Sequence, residues 1–265
     1  MVGHRSVSQF TSYAQCSERY RLERLDNVPQ RPAGWTLQGL AVHEAVETWE
    51  KGLRQDPQSV IIETYETAWH SHLDRLLKDE PNTDRWLTGN VRVKGQTDID
   101  RRYERGKKQL ADYIADAESS EWEIWETPDF DLAIELPFRL DLNGVEVVGY
   151  IDQIREYPDG SLELVDLKTG TKIPEWDFQL GVYRLAVLES YGVRADSGSF
   201  YMLKDNRYTP RTDLTRYTRD RLSVWFDSLN RGVEGAVFMP NVGDHCRMCG
   251  VWDYCSAKGY KEVHV

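Results

Sequence analysis

The sequence predicts a mixed α/β fold, a central sheet of mixed strand direction flanked by helices, with a mainly helical region before it. Three observations lead there. Residues 36–120 carry apolar side chains at helical spacing, residues 128–168 switch to short alternating runs broken by turn residues, and residues 177–235 read helix, strand, helix. With 265 residues the chain can bury a sizeable core, and it is expected to form a single domain over 1–265.

The opening "SVSQFTSYAQCSERYRLERL" starts with a capping serine, then sets Phe10, Tyr13, Tyr20 and Leu25 at roughly helical intervals. Cys16 therefore falls in or beside a short helical region. "DNVPQRPAG", with two prolines, is a loop. "TLQGLAVHEAVETWEKGLRQ" reads as an amphipathic helix whose apolar side is Leu40, Val42, Ala45, Val46 and Trp49, with His43 and Glu47 one turn apart on it. Residues 60–120 are mostly polar helix with a turn at "DEPNTD". "FDLAIELPFRLDLNGVEVVGYIDQI" alternates as strands around a turn at "LNG", and "SLELVDLKTG" is a further strand after the turn "YPDG". "DFQLGVYRLAVLESYG" is a helix ending at glycine, "DSGSFYMLKD" a strand and "TRDRLSVWFDSLNRGVEG" a last helix.

No apolar run is long enough to cross a bilayer, and the first residues lack a signal-peptide core, so a cytoplasmic protein with no membrane partner is expected. The net charge of −11 opposes broad nucleic-acid binding, but charge is local. Lysines and arginines crowd residues 92–108. A second basic run, 204–221, interleaves arginines with Tyr208 and Tyr217, aromatics able to stack unpaired bases.

Of four cysteines, Cys16 stands alone and Cys246, Cys249 and Cys255 follow the spacing C-x2-C-x5-C. A reducing compartment has little use for disulfides, and three thiols in a tight loop suit a metal. Cys16 as a fourth ligand would tie the chain ends together. Spacing alone leaves an iron–sulfur cluster and zinc level, with His245 a possible zinc ligand.

The hairpin "GYIDQIREYPDGSLELVDLKTGTK" carries acids where buried strands should carry none. Asp166 and Lys168 stand at i and i+2 and share a strand face. With Asp152 on the neighbouring strand, two carboxylates come close enough to need a cation between them, and oxygen ligands suit Mg²⁺ or Mn²⁺. Lysine beside such a site can offset charge developing on a phosphate. A lone D-x-K is also an ordinary surface pair, so its company decides.

That company resembles the PD-(D/E)xK nuclease superfamily in its RecB-like branch. "GYIDQI" and "ELVDLKTG" resemble its second and third motifs, "GLAVHEAVE" its helical first motif, and "QLGVYRLAV" its trailing Q-x-x-x-Y motif. The terminal segments, with "CRMCGVWDYC", resemble the branch's iron–sulfur form, which includes the CRISPR-associated four-cysteine exonuclease and the AddB nuclease domain. Ile151 stands where the superfamily's name has proline, and residues 55–120 match no motif.

The resemblance implies a restriction-endonuclease-like core over 128–205, a helical region with the first motif over 36–120, and an iron–sulfur lobe from 1–30 and 240–260. It implies a DNA exonuclease favouring single strands or ends, in recombination, repair or CRISPR-type processing, with a helicase, recombination or CRISPR-adaptation partner. Implied metal ligands are His43, Asp152, Asp166 and the Leu167 carbonyl. Asp152, Asp166, Lys168, Gln179 and Tyr183 are the implied catalytic set, and Cys16, Cys246, Cys249 and Cys255 would hold a 4Fe–4S cluster rather than zinc. Glu135, on the preceding strand run, is a possible additional acid or a plain strand-edge glutamate. A catalytically weak module that binds DNA ends or a partner complex is the alternative.

Overall fold

The computed structural model describes residues 3–258. Residues 1–2 and 259–260, the outer ends of the expected terminal lobe, lie outside the described residues. Helix α1 (Val7–Gln15) starts where the Ser6 side chain accepts the Gln9 N–H, the capping the sequence announces. Cys16 has extended backbone and breaks this helix from α2 (Ser17–Arg24). The preceding segment joins the sheet edge: Arg5 N–H donates to the Glu146 carbonyl at 2.7 Å, and the Arg5 carbonyl accepts the Val148 N–H at 2.9 Å.

Helices α3 (Gly34–Lys51), α4 (Gln58–Asp79) and α5 (Gly95–Ser119) form the helical region around Ala41, Ala45, Trp49, Trp69 and Leu110. Gly106 lets α4 and α5 approach: a Cβ there would lie 2.1 Å from the Tyr65 hydroxyl. The expected apolar side of α3 needs one correction. Leu40 is 44% exposed, and the buried stripe runs instead through Leu37, Ala41, Val42, Ala45, Val46 and Trp49. Leu40 is one turn from His43, on the side of α3 that stays open.

The strands are β1 (Glu123–Ile124), β2 (Ile134–Leu142), β3 (Val145–Glu156), β4 (Leu162–Lys168), β5 (Ser197–Met202), β6 (Arg207–Tyr208) and β7 (Thr212–Asp213). Their order is β1-β3-β4-β5-β6, with β2 also on β3 and β7 also on β5. Two antiparallel hairpins join β2 to β3 and β3 to β4. The first turns at Asn143 and Gly144 with φ of 56° and 85°, the second at Gly160 with φ of 77°. Strand β5 then runs parallel to β4, reached through α6 (Phe178–Tyr191), since parallel neighbours need a crossover. The sheet is mixed, as expected.

Alternation along β4 sends Leu162 and Leu164 to one face and Val165 and Leu167 to the other. Helix α6 and α7 (Arg219–Glu234) cover the first face and the helical region the second, so β4 is buried from Leu162 to Leu167. Polar side chains bind the second layer to the sheet. Gln153 donates to the Tyr113 hydroxyl at 2.7 Å, and wholly buried Arg155 grips Gln153 Oε1 at 2.7 and 2.9 Å while lying 3.7 Å over the Trp122 ring. Buried charge survives only when partnered this way. Among the described residues no helix is long and apolar enough to cross a membrane.

Candidate active site

Register brings three acids into a row. Gln153 pairs with Val165, so Asp152 lies opposite Asp166 across β3 and β4. Ile134 pairs with Gln153 and Leu136 with Ile151, so Glu135 lies opposite Asp152 across β2 and β3. Glu135 has a φ of 46°, a left-handed backbone that a glutamate adopts at some cost, and one that redirects its side chain out of the plain strand alternation. From the facing side α3 brings His43. Its Nδ1 is 2.9 Å from Glu135 Oε1 and 3.8 Å from Asp152 Oδ2, and its Nε2 is 3.2 Å from the Leu167 carbonyl oxygen.

Asp152 Oδ2 accepts the Leu167 N–H at 2.9 Å. Asp166 is wholly buried, and neither of its oxygens meets hydrogen-bond geometry; the Lys168 ammonium lies against it as an ion pair. Lys168 Nζ also donates to Gln179 Oε1 at 3.1 Å, and Gln179 Nε2 donates to the Tyr183 hydroxyl at 2.6 Å. Gln179 and Tyr183 are four apart on α6, which places both over the end of β4.

Burial pushes the Asp166 carboxyl up to about 6, with Asp152 adding to the shift and Lys168 opposing it. Asp152 is raised for the same first reason, against His43 and Lys168. Burial would lower His43, but Asp152, Glu135 and Asp166 overcome it and carry the imidazole to about 9. Lys168 is raised by Asp166 and Asp152 against burial. The ion pair is thus lopsided: it favours the charged lysine, whereas Asp166 remains a costly carboxylate because burial and Asp152 outweigh one ammonium. The site is short of positive charge.

One ligand atom each from His43, Glu135 and Asp152 falls within 4.8 Å of the others, close enough to share an ion. Imidazole nitrogen, carboxylate and carbonyl oxygen are donors that Mg²⁺ and Mn²⁺ accept, and Asp166, whose Oδ2 pairs with Lys168, keeps Oδ1 unbonded beside them. The donor set fits a divalent cation. The expected residues His43, Asp152, Asp166, Leu167, Lys168, Gln179 and Tyr183 all meet here, and Glu135 joins them.

The four cysteines, from two ends of the chain, line one small cavity with His245, whose Nε2 is buried without a partner. Asn241 N–H points at Cys16 Sγ and Gly243 N–H at Cys246 Sγ, each at 3.4 Å. Burial pushes the Cys249 and Cys255 thiols up, so thiolates there require a cation. Four cysteines and a histidine around one cavity are donors that a thiolate-bound metal group could use.

The second basic run departs from expectation. Tyr217 is buried against Gly181, where a Cβ would meet its ring at 2.2 Å, and its hydroxyl donates to Asp177, so it cannot stack a base. Tyr208 lies with its ring stacked on Tyr201 at 4.3 Å. Arg211, Arg216 and Arg219 pair with Glu163, Asp177 and Glu189. Acids spread elsewhere in the chain fold back onto this run, which local charge does not reveal.

Sheet, acid row and lysine together define a site of the nuclease class. The chain belongs to the PD-(D/E)XK nuclease superfamily, whose profile matches residues 4–256. It is 39% identical over 263 residues to the Gene 69 protein of Mycobacterium phage D29, covering 95% of this chain and 96% of that protein. The Gene 69 protein of Mycobacterium phage L5 is 33% identical over 275 residues, covering 93% and 94%. The crystal structure of SSO0001 aligns over 83% of this chain and 85% of that one, at 14% identity and a TM-score of 0.34, too low to carry an argument. Nucleic acid is the ligand class of the family, and divalent metal its usual cofactor.

Proposed function

We propose that this chain is a divalent-metal-dependent DNA exonuclease of the RecB-like iron–sulfur branch, acting on single strands or DNA ends. The observation that carries the reading is the acid row Glu135, Asp152, Asp166 closed by His43, with Lys168 at its edge. His43, Asp152, Asp166 and the Leu167 carbonyl, with Glu135 as an added ligand, would hold Mg²⁺ or Mn²⁺. Bound there, the cation supplies polarisation of the scissile phosphate and a lowered pKa for an attacking water.

The chain's own groups do the rest. Lys168, held between Asp166 and Gln179, orients the water and offsets negative charge growing on the phosphate. Tyr183 fixes Gln179, and Gln179 fixes Lys168. The cysteine cavity, with backbone N–H groups aimed at two sulfurs, supports a 4Fe–4S cluster on Cys16, Cys246, Cys249 and Cys255 that clamps the chain ends. The motif order supports the single-strand preference, and a recombination, helicase or CRISPR-adaptation complex is the partner class it implies.

The test is digestion of end-labelled linear DNA, single- and double-stranded, beside closed circular DNA, with Mn²⁺. Release of short products from linear strands with intact circles is expected, and the labelled end gives the polarity. Cut circles would overturn the exonuclease reading. Bound but uncut DNA would favour the binding module.

A further inference from the structure

Besides His43, the helical region reaches the end of β4 through a buried chain of amides. Gln109 on α5 is 1% exposed, and its Nε2 donates to the Thr169 carbonyl at 2.9 Å. Gln38 on α3 is equally buried and donates to Gln109 Oε1 at 2.6 Å. Arg102 of α5 donates to Gln38 Oε1 at 3.2 Å, and is itself held by Asp98 at 2.6 Å. No amide in the chain could be apolar without stranding the next.

Thr169 is the residue at which the sheet ends. Lys168 is the last residue of β4, and residues 169–177 form neither helix nor strand. Two bonds hold this exit. Just past the end of β5 the Leu203 N–H donates to the Lys168 carbonyl at 3.0 Å, and from α5 Gln109 takes the next carbonyl. Between them they set the peptide plane that follows Lys168. The same short segment carries Asp166 and the Leu167 carbonyl.

We infer that Gln109, itself oriented by Gln38, is a positioning residue: it pins the Thr169 carbonyl and thereby fixes Lys168 and the Leu167 carbonyl against the acid row. The inference rests on the nuclease reading of that site, and gives the motif-free helical stretch a task in it. The amide is the right group because it accepts from Gln38 and donates to Thr169 at once. Glutamate has the same shape but turns an acceptor toward the carbonyl. Leucine leaves the carbonyl without a partner.

The experiment compares Gln109→Glu, Gln109→Leu and the remote control Tyr65→Phe with the full-length parent. Tyr65 also fastens α5, through a 3.0 Å bond to the Tyr103 carbonyl, but lies among the helices. Three readouts are taken: hydrogen exchange across 166–172, kcat and KM on single-stranded DNA with Mn²⁺, and melting temperature. Both Gln109 variants should speed exchange in that segment and lower kcat by about tenfold or more with KM within about twofold, because small misplacement of reacting groups is costly. Tyr65→Phe should lower the melting temperature and leave kcat within about twofold. Unchanged exchange and unchanged kcat in the Gln109 variants would overturn the inference. So would an equal kcat loss in Tyr65→Phe, which would mark the effect as general softening. If the parent cleaves no DNA, the nuclease reading fails, and faster exchange confined to 166–172 still decides for the brace, uniform exchange against it.

Discussion

His43 Nδ1 lies 2.9 Å from Glu135 Oε1, joining residues 92 apart in the chain, and the imidazole's other nitrogen faces the Leu167 carbonyl at 3.2 Å. Both ring nitrogens face acceptors, so the doubly protonated ring is the form that satisfies them. It puts a positive charge at the place where the donors would otherwise gather around a cation.

Glu135→Gln removes a carboxylate from that cluster while keeping its shape. Mn²⁺ affinity is expected to fall by about 10- to 100-fold, the usual effect of losing a ligand partner. Calorimetric titration checks this. Unchanged affinity would return Glu135 to the role of a strained strand-edge residue.

His43 keeps its proton up to about 9, against 6.5 in the unfolded chain. Its raised pKa adds stability that is complete below 6.5 and is lost as pH rises through 9. A divalent cation competes with the same proton, so Mn²⁺ binding near neutral pH should release about one proton per site. Binding heats in buffers of different ionisation enthalpy measure this. His43→Gln should abolish the release, and buffer-independent heats in the parent would contradict the assignment.

Asp166 titrates at about 6 in the folded chain and at 3.8 outside it, so the folded state holds the extra proton. Stability is present below 3.8 and lost as pH rises through about 6. Without metal, Asp166→Asn should therefore raise the melting temperature above pH 6 and much less near pH 4. The gain is at most on the order of 3 kcal/mol, a net figure in which the Lys168 pair is already counted. Thermal melts in EDTA test it; a lower melting temperature at every pH would show that the ion pair dominates. The same variant should lose metal-dependent cleavage, stability and function opposing each other at one side chain.

Anaerobically purified protein should be brown and carry about four irons per chain. Cys249→Ser should bleach it and loosen the contact between the chain ends, read as faster proteolysis near Cys16. Colourless protein with one zinc per chain would replace the cluster reading.

Arg155→Ala should destabilise the sheet by about 1–3 kcal/mol or more, because it leaves Gln153 Oε1 unpartnered and opens space beneath Trp122. Chemical denaturation gives the figure. A loss under about 1 kcal/mol would mean that water replaces the guanidinium.

Much of this was legible in sequence because the signals were local. Ser6, the turn at Asn143–Gly144 and the helix-ending Gly192 marked element ends, and the paired acids with lysine marked the site. What stayed hidden depended on distant partners. Strands β1, β6 and β7 have two residues each and no periodicity to read. Tyr217 looked like a surface aromatic until Gly181 and Asp177 closed around it. Glu135 carried no mark of its left-handed backbone. Gln38 and Gln109, polar residues in polar helices, gave no sign that each is buried against the other.

The most direct test follows cleavage of labelled single-stranded DNA as Mn²⁺ is titrated, for the parent, Asp152→Asn and Lys168→Ala. The account predicts saturable, EDTA-reversed cleavage in the parent, a large rise in the Mn²⁺ requirement for Asp152→Asn, and no cleavage by Lys168→Ala although it still binds Mn²⁺. Equal cleavage by all three proteins, or cleavage by the parent undiminished in EDTA, would contradict it.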